Sequence, residues 1–127
     1  MLIIALVFAG LAALVHVYIF VLESLRWEHP DTRAVFGTDE QTAAITRPLA
    51  YNQGFYNLFL AIGTVAGIGL AGPNRDAGLA LVVFATGSML TAALVLVGSD
   101  ASKARAALVQ GALPLICLLD LGVYALR

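Results

Sequence analysis

MLIIALVFAGLAALVHVYIFVL, residues 1–22, decides the fold. The run contains no Asp, Glu, Lys or Arg, and His16 is its one imidazole. A secretory leader would open on basic residues and carry an apolar core of about 7–15 residues, and this stretch does neither. It reads as a retained membrane helix, since about 20 apolar residues suffice to cross the hydrocarbon of a bilayer. The rest of the chain agrees. Of its 127 residues 61% are hydrophobic and only 12% charged, where a soluble domain carries about 25% charge. A soluble fold of this composition would leave a large apolar surface in water.

Outward from that stretch, four apolar runs appear, at about residues 2–26, 48–71, 77–98 and 105–126. The runs are continuous and do not alternate, which selects helices over a barrel. The expected fold is therefore an all-α membrane protein, a single four-transmembrane-helix bundle over residues 1–127. One longer amphipathic loop joins helices 1 and 2. Pro48 suits the first position of a helix. Ala71-Gly-Pro-Asn-Arg-Asp76 is a tight turn. Gly98-Ser99-Asp100 closes the third span and can cap the fourth. Thr38-Asp39-Glu40-Gln41 reads as a capping box opening a short helix in the first loop. Gly63 and Gly67 form a GxxxG motif, better suited to packing within the bundle than to self-association.

The net charge of −1 offers no basic field for nucleic acid. Cys117 is the single cysteine, in an apolar run, and is expected to be a buried, inert thiol. Arg26, Arg33, Arg47, Lys103 and Arg105 flank the first and third loops, against Arg75 and Arg127 on the other side. That bias places both termini outside, N-out and C-out.

Polar residues inside the spans raise the question of function. HVYIFVLESLRW, residues 16–27, sets His16, Phe20, Glu23 and Trp27 at offsets of four, three and four, one helical stripe. His16 lies about 15 Å from the loop-one end at 1.5 Å per residue. Buried ionisable groups at that depth face a bundle interior. Glu23 is near the span end and could pair with Arg26 or Arg47. In the second span Asn52, Gln53, Tyr56 and Asn57 form two adjacent rows. Antiparallel depth matching sets Tyr56 and Asn57 level with His16, and Asn52 and Gln53 level with Glu23. Ser88 and Thr91 of the third span lie at matching depths. Asp120 falls in the last span, about 7 Å further from the loop-one side than His16.

These residues carry a resemblance. His16-Val-Tyr-Ile-Phe-Val-Leu-Glu23 with Trp27, Val35-Phe36-Gly37 and Asn52-Gln53-Gly54-x-Tyr56-Asn57 resemble domain of unknown function 1304, a family of small bacterial integral membrane proteins. The resemblance spans essentially the whole chain. It implies a four-helix protein of the bacterial inner membrane and no particular activity.

The reading that follows is an intramembrane pocket that binds or isomerises a lipophilic small molecule. His16, Glu23 and Asp120 are the candidate acid and base groups. Trp27, Asn52, Gln53, Tyr56 and Asn57 are the candidate ligand-binding residues. No metal or cofactor is expected. The chain has no His-Glu-x-x-His, Cys-x-x-Cys or phosphate-binding glycine loop, and a bis-His haem would need His29 from the surface loop. Expected partners are the lipid bilayer and the lipophilic molecule, with a homo-oligomer left open. The alternatives are a proton-coupled transporter, with Asp120, His16 and Glu23 as a relay, and a structural or partner-binding membrane subunit.

Overall fold

A computed structural model describes residues 1–127. The chain is all helix. α1 spans Leu2–Phe20 and continues as a π turn, Val21–Leu25. α2 is a short helix, Pro30–Phe36. α3 spans Glu40–Leu70 and α4 Arg75–Ser99. A 3₁₀ turn, Ala101–Lys103, leads into α5, Ala104–Ala125. Four of these segments are long and apolar enough to cross a membrane. α1 packs on α3 and α5, and α4 on α3 and α5, closing a four-membered ring.

The second span starts earlier than expected. Asp39 caps α3, its carboxylate accepting the Thr42 N–H at 2.6 Å. The cap opens the spanning helix itself and not a separate short one. Pro48 consequently lies inside α3. Proline there leaves the Ala44 carbonyl without its helical donor, and Ala44 is exposed, at the polar end of the helix. The short loop helix is α2, with Pro30 at its first position, His29 as its cap and Gly37 in the left-handed conformation (φ 64°) closing it. The other punctuation behaves as read. Asn74 caps α4 through the Ala77 N–H. Asp100 ends α4 and caps the next turn, accepting from the Ser102 N–H and hydroxyl.

Small residues bring the helices together. A Cβ on Gly67 would lie 2.9 Å from the Gly78 carbonyl oxygen and from Val82, so α3 and α4 meet closely beside the Ala71–Asn74 turn. The GxxxG motif is thus spent inside the bundle, with Gly67 buried. Gly111 of α5 likewise presses on Ala93 of α4. At this turn end Ala5, Ala9, Val82, Cys117 and Leu121 form a closed apolar core, with the Cys117 thiol buried as expected. The two ends of the bundle therefore differ. The turn end is sealed by small side chains, and the loop-one end is not.

Candidate functional site

The loop-one end holds a cavity of about 900 Å³ in the groove between α3 and α4. Glu23 and Trp27, from the π turn and the residues after it, form part of its wall, and Gln110 of α5 another part. Thr38, just before α3, and Thr42 and Thr46 of α3 contribute hydroxyls four residues apart in sequence, and α3 adds Gln53, Tyr56 and Asn57 further in. α4 contributes Ser88, Thr91 and Ser99, with Ala92, Val95 and Leu96 between them. Leu49 and Tyr56 of α3 and Val95 of α4 line the cavity and are 60–70% exposed (68%, 61% and 65%). The groove is thus open sideways between α3 and α4.

Glu23 is held by Asn57, whose Nδ2 donates to Oε2 at 2.9 Å and to the Gln53 carbonyl at 3.1 Å. The Glu23 partner is this amide, not Arg26 or Arg47; the single ion pair of the structure is His29–Asp31. At the next residue, the Ser24 hydroxyl donates to the Tyr51 carbonyl at 2.8 Å. A Cβ at Gly54 would overlap that hydroxyl, so glycine sets the closeness of α1 and α3 here. Phe20 packs edge-on against Phe55 at 5.0 Å. The Trp27 indole donates to Thr46 at 3.1 Å and packs on Phe36. Over the mouth, the Lys103 ammonium donates to the Phe36 carbonyl, tying α2 to the turn before α5.

Several predicted residues meet here and several do not. Glu23, Trp27, Gln53, Tyr56 and Asn57 line the cavity, together with Ser88 and Thr91. Asn52 is exposed and is not a lining residue. His16 is buried, 2% exposed, but it too is absent from the wall; its Nδ1 donates to the Ala12 carbonyl at 2.9 Å. The π turn accounts for this. It takes more residues per turn than an α-helix, so Glu23 falls out of phase with the row that His16 begins, and Trp27 lies beyond the helix end. Asn57 meets Glu23 and not His16 because side chains tilt toward their own helix N-terminus. In antiparallel α1 and α3 that tilt moves Glu23 inward and Asn57 outward until they meet. Asp120 lies on the sealed half, one turn beyond Cys117 and away from the cavity wall.

Lys103, Gln110 and the Thr38–Thr42–Thr46 row were not singled out from the sequence. The threonine row was legible as hydroxyls spaced by four. Lys103 and Gln110 carried no signal of their own. No three of the His, Cys, Asp and Glu side chains converge as metal ligands would.

No curated protein and no solved structure matches the chain. A family model described as Protein of unknown function (DUF1304) matches residues 10–121. That match takes in most of the first and last spans, the whole of the middle two, the first loop and every residue of the cavity wall, and the chain belongs to this family.

Proposed function

We propose that the α3–α4 groove binds a lipophilic small molecule from the bilayer, beside Glu23 as the group that gives or takes a proton. One observation carries the reading. The only carboxyl on the cavity wall is held by an amide at 2.9 Å, at the inner end of a groove open sideways between two helices long enough to span a membrane. A carboxyl in low-dielectric surroundings beside a bound molecule is suited to proton transfer. A single such group can move a proton between two positions of one ligand, which is isomerisation without a co-reactant. Thr42, Thr46, Gln53 and Tyr56 would orient the molecule, and Trp27 would cover it.

The arrangement favours this reading over a transmembrane proton relay. His16 lies off the cavity, and Asp120 sits beside the small-residue core that closes the turn end. A path from Glu23 to Asp120 would have to cross that core. We place the loop-one end in the cytoplasm of a bacterial inner membrane, from the Lys and Arg bias. Cysteines introduced at the exposed Gly72 and Ala101 would test this, with buried Cys117 as a silent background. Labelling of position 72 from outside and of 101 only from inside is expected.

Native mass spectrometry of protein released from lipid nanodiscs tests the binding reading. Wild type is expected to carry a lipophilic adduct, and Ala92→Trp, which fills the groove wall, to lose it while keeping its helicity. An adduct equally retained by both proteins would mean surface lipid only and would overturn the reading.

A further inference from the structure

Hydrogen-bond bookkeeping at the inner end of the groove specifies the polar group of the ligand. This inference rests on the binding reading above. Asn57 Nδ2 has two N–H groups, and both are engaged, by the Glu23 carboxylate and the Gln53 carbonyl. A backbone carbonyl only accepts, so the amide is fixed with its nitrogen toward it, and the Asn57 oxygen is left as an acceptor. Ser88 donates its single hydroxyl proton to the Phe84 carbonyl at 2.7 Å, and Thr91 donates to the Gly87 carbonyl at 2.8 Å. Each hydroxyl therefore offers the groove only lone pairs. The second oxygen of Glu23 is a further acceptor without a protein donor. Gln53, Gln110 and the Tyr56 hydroxyl carry donors and acceptors together and do not discriminate. The inner end is thus acceptor-rich, with one carboxylate and no cation on its wall. Lys103 lies at the far mouth, bonded to the Phe36 carbonyl.

The shape adds a constraint. From Thr42 to Leu60 the wall follows α3 for about 27 Å at 1.5 Å per residue. A groove of that length, with a volume of about 900 Å³, accommodates an extended chain. Leu49, Ala50, Ala92, Val95 and Leu96 form its apolar middle.

We propose that the groove takes a single-chain lipophilic amine, its ammonium donating one N–H to Glu23 and the other two among the Asn57, Ser88 and Thr91 oxygens, and its chain lying between α3 and α4. Three N–H donors on a compact cation match a cluster of acceptors around one carboxylate, where a carboxylate or ether ligand would set acceptor against acceptor.

Trp27 is the only tryptophan and lines the groove, so its emission reports occupancy. Dodecylamine, dodecanol and dodecanoate would be titrated into the protein in zwitterionic nanodiscs, with affinity expressed per mole fraction in the bilayer. The amine is expected to bind about tenfold tighter than the alcohol, as hydrogen bonds to a charged group imply, and dodecanoate weakest. Glu23→Gln is expected to bring the amine down to the level of the alcohol. If that variant loses its helicity, Ser88→Ala with Thr91→Val is used, and a severalfold loss of amine affinity is expected. Dodecanoate binding as tightly as the amine, or an amine preference that survives these variants, overturns the amine assignment and leaves the cavity reading standing. If none of the three probes alters Trp27 emission, the cavity reading fails and the amine assignment with it.

Discussion

Replacing Gly54 with alanine should destabilise the bundle, although alanine is the better helix former. The added Cβ would lie 3.0 Å from the Ser24 Cβ and backbone nitrogen and would overlap the Ser24 hydroxyl. The hydroxyl can rotate away, but it then releases the Tyr51 carbonyl, which it meets at 2.8 Å. The backbone nitrogen cannot rotate, so α1 and α3 must separate. Overpacking of this kind costs about 1–3 kcal/mol, and the lost hydrogen bond about 1 kcal/mol more. Against this, exchange of glycine for alanine within a helix gains about 1 kcal/mol. The terms leave a net loss of about 1–3 kcal/mol. Titration with dodecyl sulfate in mixed micelles, followed by far-ultraviolet circular dichroism and Trp27 emission, measures it. Gly87→Ala is the control, since nothing lies within 4 Å of a Cβ there, and it should be neutral or stabilising. Gly54→Ala as stable as Gly87→Ala would refute the close approach of α1 and α3 and, with it, the register that brings Glu23 to Asn57.

Three other outcomes are expected. His16→Leu should keep stability within about 1.5 kcal/mol and leave Trp27-reported binding unchanged, because His16 bonds only to its own helix at Ala12; loss of binding would return His16 to the site. Thr32 is fully buried and its hydroxyl has no partner, so Thr32→Val should stabilise the protein by about 1 kcal/mol, and a loss in the same unfolding assay would show a partner for that hydroxyl. Asp39 is held below the usual carboxylate range mainly by the Thr42 N–H, and Asp100 mainly by the Ser102 hydroxyl. Both caps therefore contribute fully above the ordinary value of about 3.9 and are lost as pH falls through the lowered values. The amide resonances of Thr42 and Ser102 should titrate with midpoints below that of a free aspartate; midpoints at or above it would contradict the caps.

The four spans were legible because a continuous apolar run of about 20 residues has few other stable outcomes. The start of α3 was not, because Thr42, Thr46 and Arg47 interrupt the hydropathy while the helix itself continues from the Asp39 cap through Pro48. α2 carried a readable signature in Pro30 and Gly37, proline just inside and glycine just outside a helix. The capping box eight residues further on competed with it for the same loop. Within the site, Glu23, Trp27, Gln53, Tyr56 and Asn57 were legible as polar side chains at helical spacing in apolar spans. The burial of His16 was legible, but its place off the cavity wall was not, because a π turn, which cannot be read from hydropathy, separates it from Glu23. The depth of Asp120, beyond His16 and toward the turn end, was legible; its distance from the groove wall was not. The Ala5, Ala9 and Val82 core that seals that end forms only on assembly.

The most direct measurement is a density map of the protein determined in a lipid nanodisc, read in the groove between α3 and α4. The account predicts elongated density along Leu49, Ala92 and Val95, ending within hydrogen-bonding distance of the Glu23 carboxyl, with Asn57 on its other oxygen. It would be contradicted by α3 and α4 meeting along their full length, with Glu23 enclosed by protein alone and no space left for a chain.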